Sequence, residues 1–230
     1  MKTIKSNWKN YLFEFLSIFV GVSLAFAMSN WGENQRDAVA ETKILTEIKN
    51  GLKLDLQDVE ENIKGHKKGV KTCNYFRKLI EDPNANQDSA AIQYFYLLRD
   101  FISIQNKSGY ESLKSKGLGL IKNDSLRFEI ISLYDFYYEI IEKLEENYDE
   151  MQFNKNYYLE INNLLAEYMD FDKNGNLIKI NHPKNLTTKE KKKLLSYLWR
   201  IKNNREYILR YYELMMGKLN HLIKSINENT

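Results

Sequence analysis

With 43% of its 230 residues hydrophobic and 28% charged, the chain holds too much apolar side chain for a disordered protein. Its net charge is +3, and Lys2, Lys5 and Lys9 account for all of it, so the remainder is neutral and lacks the basic face that nucleic-acid binding needs. A single cysteine, Cys73, excludes an intrachain disulfide and a CxxC metal site, and only two prolines interrupt a chain that reads as helical throughout.

The first element is "NYLFEFLSIFVGVSLAFAMSNW", residues 10–31. Tyr11 to Trp31 is 20 helical steps, roughly 30 Å, the thickness of a bilayer core. No charge falls between Phe15 and Met28, and Trp8, Tyr11 and Trp31 stand where interfacial aromatics stand. Three lysines precede the segment, so the positive-inside rule assigns residues 1–10 to the cytoplasm, 11–31 to a transmembrane anchor and 32–230 to an exported domain. The rival reading is a signal peptide cleaved after Ala25-Phe26-Ala27. Against it, the helical pattern runs on through that site, and Gly21 and two serines interrupt the apolar core. Ser17, Gly21, Ala25 and Ser29 recur every four residues, a small-residue stripe that lets transmembrane helices approach closely. Glu14 lies on the same side, where a carboxyl group must reach the interface or find a partner.

Beyond Trp31 the helix continues. Ile44, Leu45, Ile48, Leu52, Leu56, Val59 and Ile63 recur at three and four, and Val70, Cys73, Phe76 and Ile80 extend the stripe past a softer region at Gly65 and Gly69. The opposite face, with Glu47, Lys49, Lys53, Asp55, Asp58 and Glu61, reads as solvated. Pro83 ends the helix. Asp88-Ser89 caps a second helix reaching Ile104. Ser108 and Glu111 form a capping box for a short third helix stopped by Gly117 and Gly119. Asp124 opens a long helix that breaks near residues 148–156 and resumes to about Tyr168. The last starts near Thr188 and carries Leu194, Leu198, Ile201, Ile208, Leu219 and Leu222. The fold class is therefore all-α, an antiparallel bundle of four-helix type fed by the anchor helix.

Few residues suggest chemistry. "DFDKNGNLIKIN" places Asp170, Asp172, Asn174 and Gly175 like the first half of a calcium loop. Asn181 stands where a bidentate glutamate is required, which makes the loop at best a weak metal site. Asn-Gly between apolar residues also signals a β-hairpin near 170–180, the preferred reading. His66, His182 and His221 are far apart and read as surface or helix-flank residues, and no hydrolase or phosphate-loop motif is present. The lysine run 189–193 reads as a solvated face. Tyr134, Tyr137, Tyr138, Tyr207, Tyr211 and Tyr212 read as a core boundary whose hydroxyls reach water, with a ligand groove between helices as the alternative.

"EFLSIFVGVSLAFAMSNWGENQRD" and "YESLKSKGLGLIKNDSLRFEIISLYD" together resemble a family of small bacterial single-pass membrane proteins of unknown function. The pattern is a glutamate-led anchor ending in Asn-Trp, then a Tyr-x-x-Leu-x-x-x-Gly turn leading into a helix. Glu14, Asn30, Trp31, Tyr110, Leu113, Gly117, Leu120, Ile121 and Leu126 match it. The resemblance implies an uncleaved anchor, an exported helical domain and no particular reaction. Tyr110 and Leu113 should pack inward while Gly117 allows the turn. The expectation is a non-enzymatic interaction module without cofactor in a bacterial inner membrane, with the bilayer and either a second copy or another membrane protein as partners. The alternative is a ligand-sensing bundle that signals through a partner helix.

Overall fold

A computed structural model describes Trp8–Thr230, the side chain of Lys9 excepted. Lys2 and Lys5, on which the cytoplasmic assignment of residues 1–10 rests, lie outside the described residues. The fold is all-α with one two-stranded hairpin.

Helix α1 spans Trp8–Glu81, 74 residues without a break, or about 110 Å at 1.5 Å per residue. It stops two residues before Pro83, whose neighbour Asp82 closes the turn by accepting from Asn84 N at 2.9 Å. Burial begins only at Ile44; from there Leu45, Ile48, Leu52, Val59, Ile63, Cys73, Phe76 and Ile80 enter the core at the predicted spacing. Gly65 and Gly69 do not soften the helix. They are points of close approach: a Cβ on Gly65 would collide with the Phe101 ring, and one on Gly69 with the Arg205 side chain.

Helix α2 is Ala90–Leu97 and α3 is Ser108–Lys116. The second helix is thus shorter than its sequence suggested, because residues 98–107 leave helical geometry and lie along α1. Lys107, not Ser108, is the residue before α3, and no side chain caps it. Gly117 follows at φ +95 and turns the chain. The next helix opens as α4, Asp124–Ser132, and its cap is Asn123, which accepts from Leu126 N at 3.1 Å. Two π-helical turns, Leu133–Tyr137 and Lys143–Asn147, flank α5, Tyr138–Glu142. Along this stretch Leu133, Tyr134, Tyr138, Ile141 and Glu145 are buried. After a 3-10 turn at Asp149–Met151 comes α6, Phe153–Leu165.

Strands β1, Met169–Phe171, and β2, Leu177–Ile180, pair antiparallel with Met169 opposite Ile180. Helix α7, Thr188–Asn229, begins in a full capping box between Thr187 and Glu190. It runs antiparallel to α1: Arg205 meets His66, Glu213 pairs with Lys67, and at the far end Asn229 meets Asn123, next to the Lys122 amide that donates to Glu41. The bundle is therefore two long helices, one segmented helix and the short α6.

Candidate functional site

Residues 98–107 run from α2 to α3 with no ladder to satisfy their backbone, and buried amides need acceptors. Carboxylates supply them. Ser103 N donates to Glu145 at 3.1 Å, Ile104 N to Asp58 at 3.0 Å and Asn106 N to Asp55 at 2.8 Å. The Asn106 side-chain amide adds a second bond to Asp55, and Asn62 donates to the Ile102 carbonyl at 3.3 Å. Asp55, expected on the solvated face of α1, is only 1% exposed. Its charge turns inward because this connector carries the donors it needs.

The tyrosines close on the same acids. Tyr138 donates to Asp55 and Tyr212 to Glu145. Tyr110 donates to Asp135 at 2.7 Å and stacks on Tyr134, centroids 4.5 Å apart, while the Tyr134 hydroxyl reaches the Asn106 carbonyl. The expectation that Tyr134, Tyr138 and Tyr212 send their hydroxyls to water is thus corrected: all three are buried, and a buried phenol takes an internal acceptor. Burial, then the facing carboxylates, push Tyr138 and Tyr212 far above the ordinary phenol range.

Arg205 on α7 is fully buried. Its Nη2 donates to the carbonyls of Tyr96, Leu97 and Arg99, at 3.3, 3.1 and 2.8 Å, and so caps the orphan carbonyls where α2 ends. Nη1 donates to His66 Nδ1 at 3.2 Å, and the guanidinium lies 4.3 Å from the centre of the Phe153 ring. His66, expected at the surface, is 2% exposed. Burial and the Arg205 charge hold it down to about 3, so it is neutral and can accept. Arg205 itself is lowered by burial to about 10 and remains a cation at neutral pH. Burial raises Asp55, Asp100 and Glu145, the last to about 7. A cavity of about 10 Å³ adjoins His66, Glu145 and Phe153, room for a single water. His66 Nε2 and Arg205 Nε have no hydrogen-bond partner among the described residues. The arrangement clamps α1, α2, α5, α6 and α7 together through one polar seam.

The other predicted residues lie elsewhere. Asp172 accepts from Asn174 N and Asn176 N, both at 2.8 Å, and from the Asn176 side chain at 2.9 Å. Asp170 accepts from Asn181. These carboxylates complete the hairpin turn, with Gly175 at φ +82. No cluster of three His, Cys, Asp or Glu able to hold a metal occurs among the described residues. Tyr110 and Leu113 are buried. His182 is half-buried, and its Nε2 lies 2.7 Å from the Ala85 carbonyl; His221 is exposed, 3.4 Å from Glu129. Cys73 is buried, its thiol pushed up by burial to about 12.

Glu14, Ser17, Gly21, Ala25 and Ser29 are all exposed along α1, with Ser17 Oγ donating to the Phe13 carbonyl at 2.8 Å. Trp8, Tyr11 and Trp31 are each about two-thirds exposed. Of the described helices, α1 alone is long and apolar enough to cross a membrane, and its apolar window is wholly uncovered by the body.

A membrane-length apolar segment continuous with the core helix of an all-α body defines the class. A model of a family of unknown function, DUF6090, matches residues 14–160, more than half of the chain, and the protein belongs to that family. The match begins at Glu14 and ends within α6, so it takes in Asp55, His66 and Glu145 and leaves out the hairpin and α7. No curated protein and no solved structure matches the chain.

Proposed function

We propose that this protein is a single-pass, membrane-tethered helical module of a bacterial inner membrane. Its N-terminus lies in the cytoplasm and its body, residues 32–230, on the outer side, where it engages a second copy or another membrane protein without catalysing a reaction. One observation carries the reading. The segment 11–31 and the buried stripe from Ile44 to Ile80 belong to one unbroken helix. A patch of exposed Leu, Ile, Val and Phe this large is untenable in water and matches a bilayer core in length. A rigid helix of this kind holds the body at a fixed height and couples any shift in its core to the anchor.

The test is fractionation with intact mass. The full chain with a C-terminal tag is expressed, membranes are washed with carbonate, and the protein is weighed. The reading expects a washed pellet holding a chain that retains residues 1–27. A soluble product beginning at Met28 overturns it. A second reading, a ligand-sensing bundle, has its own support in a cavity of about 440 Å³ between α4, the first π turn and α7, within the usual size range of small-molecule sites.

A further inference from the structure

We infer that this cavity binds a small zwitterion with an aromatic or branched apolar side chain, in the manner of a free α-amino acid. The inference rests on the ligand-sensing reading and not on the tether. The walls are apolar: Leu133 and Leu222 form the buried floor, while Phe128 and Phe136 stand 71% and 58% exposed at the rim. Both rings line the cavity and keep much of their surface in water. They offer stacking surface to a ring or a branched chain.

The polar groups are few and of opposite sign. Glu129 faces the cavity with Oε1 at 3.4 Å from His221 Nε2, and its Oε2 has no donor. A carboxylate oxygen removed from water without a donor is a standing deficit that an ammonium can relieve after rotation of the side chain. On the α7 wall Lys218 forms no ion pair among the described residues, and its ammonium rests 4.9 Å from the centre of the Tyr137 ring. Its ammonium can therefore turn from the ring to a ligand carboxylate. Ser132 also lines the wall. An anion alone would leave Glu129 beside it, and a cation alone would meet Lys218. A zwitterion uses both charges, and the apolar walls take its side chain.

The full chain in lipid nanodiscs is titrated calorimetrically with L-phenylalanine, phenethylamine, 3-phenylpropionate and glycine. The expected result is phenylalanine binding at least about tenfold more tightly than each of the other three, a difference near 1.4 kcal/mol. Glu129→Gln should erase the preference over 3-phenylpropionate, and Lys218→Gln the preference over phenethylamine. Lys218 is exposed and Glu129 half-buried, so folding of both variants is checked by unchanged circular dichroism. Equal binding of either one-charge analogue overturns the paired-charge assignment. Equal binding of glycine overturns the apolar walls. No binding of any probe at about 10 mM, where even weak sites of this class respond, overturns the site. Membrane retention is unaffected by these outcomes, so failure here is distinct from failure of the tether.

Discussion

The guanidinium of Arg205 occupies the space that a side chain on Gly69 would need. In most exposed helix interiors Gly→Ala is stabilising by up to about 1 kcal/mol. Here the new methyl must displace a buried cation from the three carbonyls it caps and from the Phe153 ring. Gly69→Ala should therefore cost about 2–4 kcal/mol, the range of overpacking plus a disturbed buried charge. Gly217→Ala on α7, where nothing approaches, should instead raise stability slightly. Urea unfolding of both variants checks the contrast, and equal behaviour would remove the assigned role of Gly69.

The connector depends on Asp55 in the same way that α2 depends on Arg205. Asp55→Leu leaves Asn106 N, the Asn106 side chain and the Tyr138 hydroxyl without their acceptor. Loss of a buried charged partner typically costs about 3–5 kcal/mol. Amide hydrogen exchange should quicken first at Ile104 and Asn106. In a double-mutant cycle Asp55→Asn and Tyr138→Phe should couple by about 1 kcal/mol or more. Additive effects would mean the two side chains are merely adjacent.

These two sites mark where the sequence was readable and where it was not. Helix α1 and helix α7 follow from apolar residues at three and four, the end of α1 from Pro83 and the start of α7 from Thr188; the Thr187–Glu190 box emerges only in the structure. The hairpin follows from Asn174-Gly175. Asp55 and His66 escaped because a helical face is assigned by assuming that charge points outward. Their partners come from the connector and from α7, 51 and 139 residues away, and no short pattern encodes that pairing. One signal was present. Asp55, Asn62, His66 and Gly69 fall on one stripe of α1 beside the apolar one, and a stripe that alternates polar groups with glycine is a place where another chain segment comes close. The connector itself was read as helix because Phe101 continues the spacing of Ile92, Tyr96 and Leu97 toward Ile104. Its extended course is fixed by the carboxylates across from it, which only the tertiary structure brings there.

The buried pair Glu145 and His66 should give stability an unusual pH dependence. Glu145 is raised by burial from its ordinary 4.5 to about 7. Between those values the folded chain holds a proton that the unfolded chain has released, so this group favours folding more as pH falls and less as it rises. His66 is lowered from its ordinary 6.5 to about 3. Below 6.5 the unfolded chain takes a proton that the folded one refuses, so this group costs stability as pH falls. Each slope is at most about 1.4 kcal/mol per pH unit, and over 4.5–6.5 they oppose. The contributions of these two groups should largely cancel there, leaving the Glu145 slope alone from pH 6.5 to 7. His66→Asn, which keeps an acceptor for Arg205, should leave the Glu145 slope exposed, with stability rising as pH falls from 7 to 5. Glu145→Gln should do the reverse. Thermal melts at half-unit pH steps read both, and identical profiles in the two variants would refute the assignment.

Gly21 has no neighbour within 4 Å among the described residues, so Gly21→Leu creates no clash with them and tests association. Ser17, Gly21, Ala25 and Ser29 share one stripe of an exposed apolar helix, and without a hydrophobic force between helices in lipid, close backbone approach is what drives pairing. A leucine at the centre of the stripe holds two helices apart. If the stripe sets the assembly, disulfide-independent crosslinking in membranes should fall about fivefold or more, the equivalent of about 1 kcal/mol of helix packing. Val22→Leu, one residue on and off the stripe, serves as control and should leave crosslinking unchanged. The melting of the body should be the same in all three proteins, because burial begins only at Ile44. Crosslinking that survives Gly21→Leu would move any interface from the anchor to the body, and the small residues would then be explained by lipid packing alone.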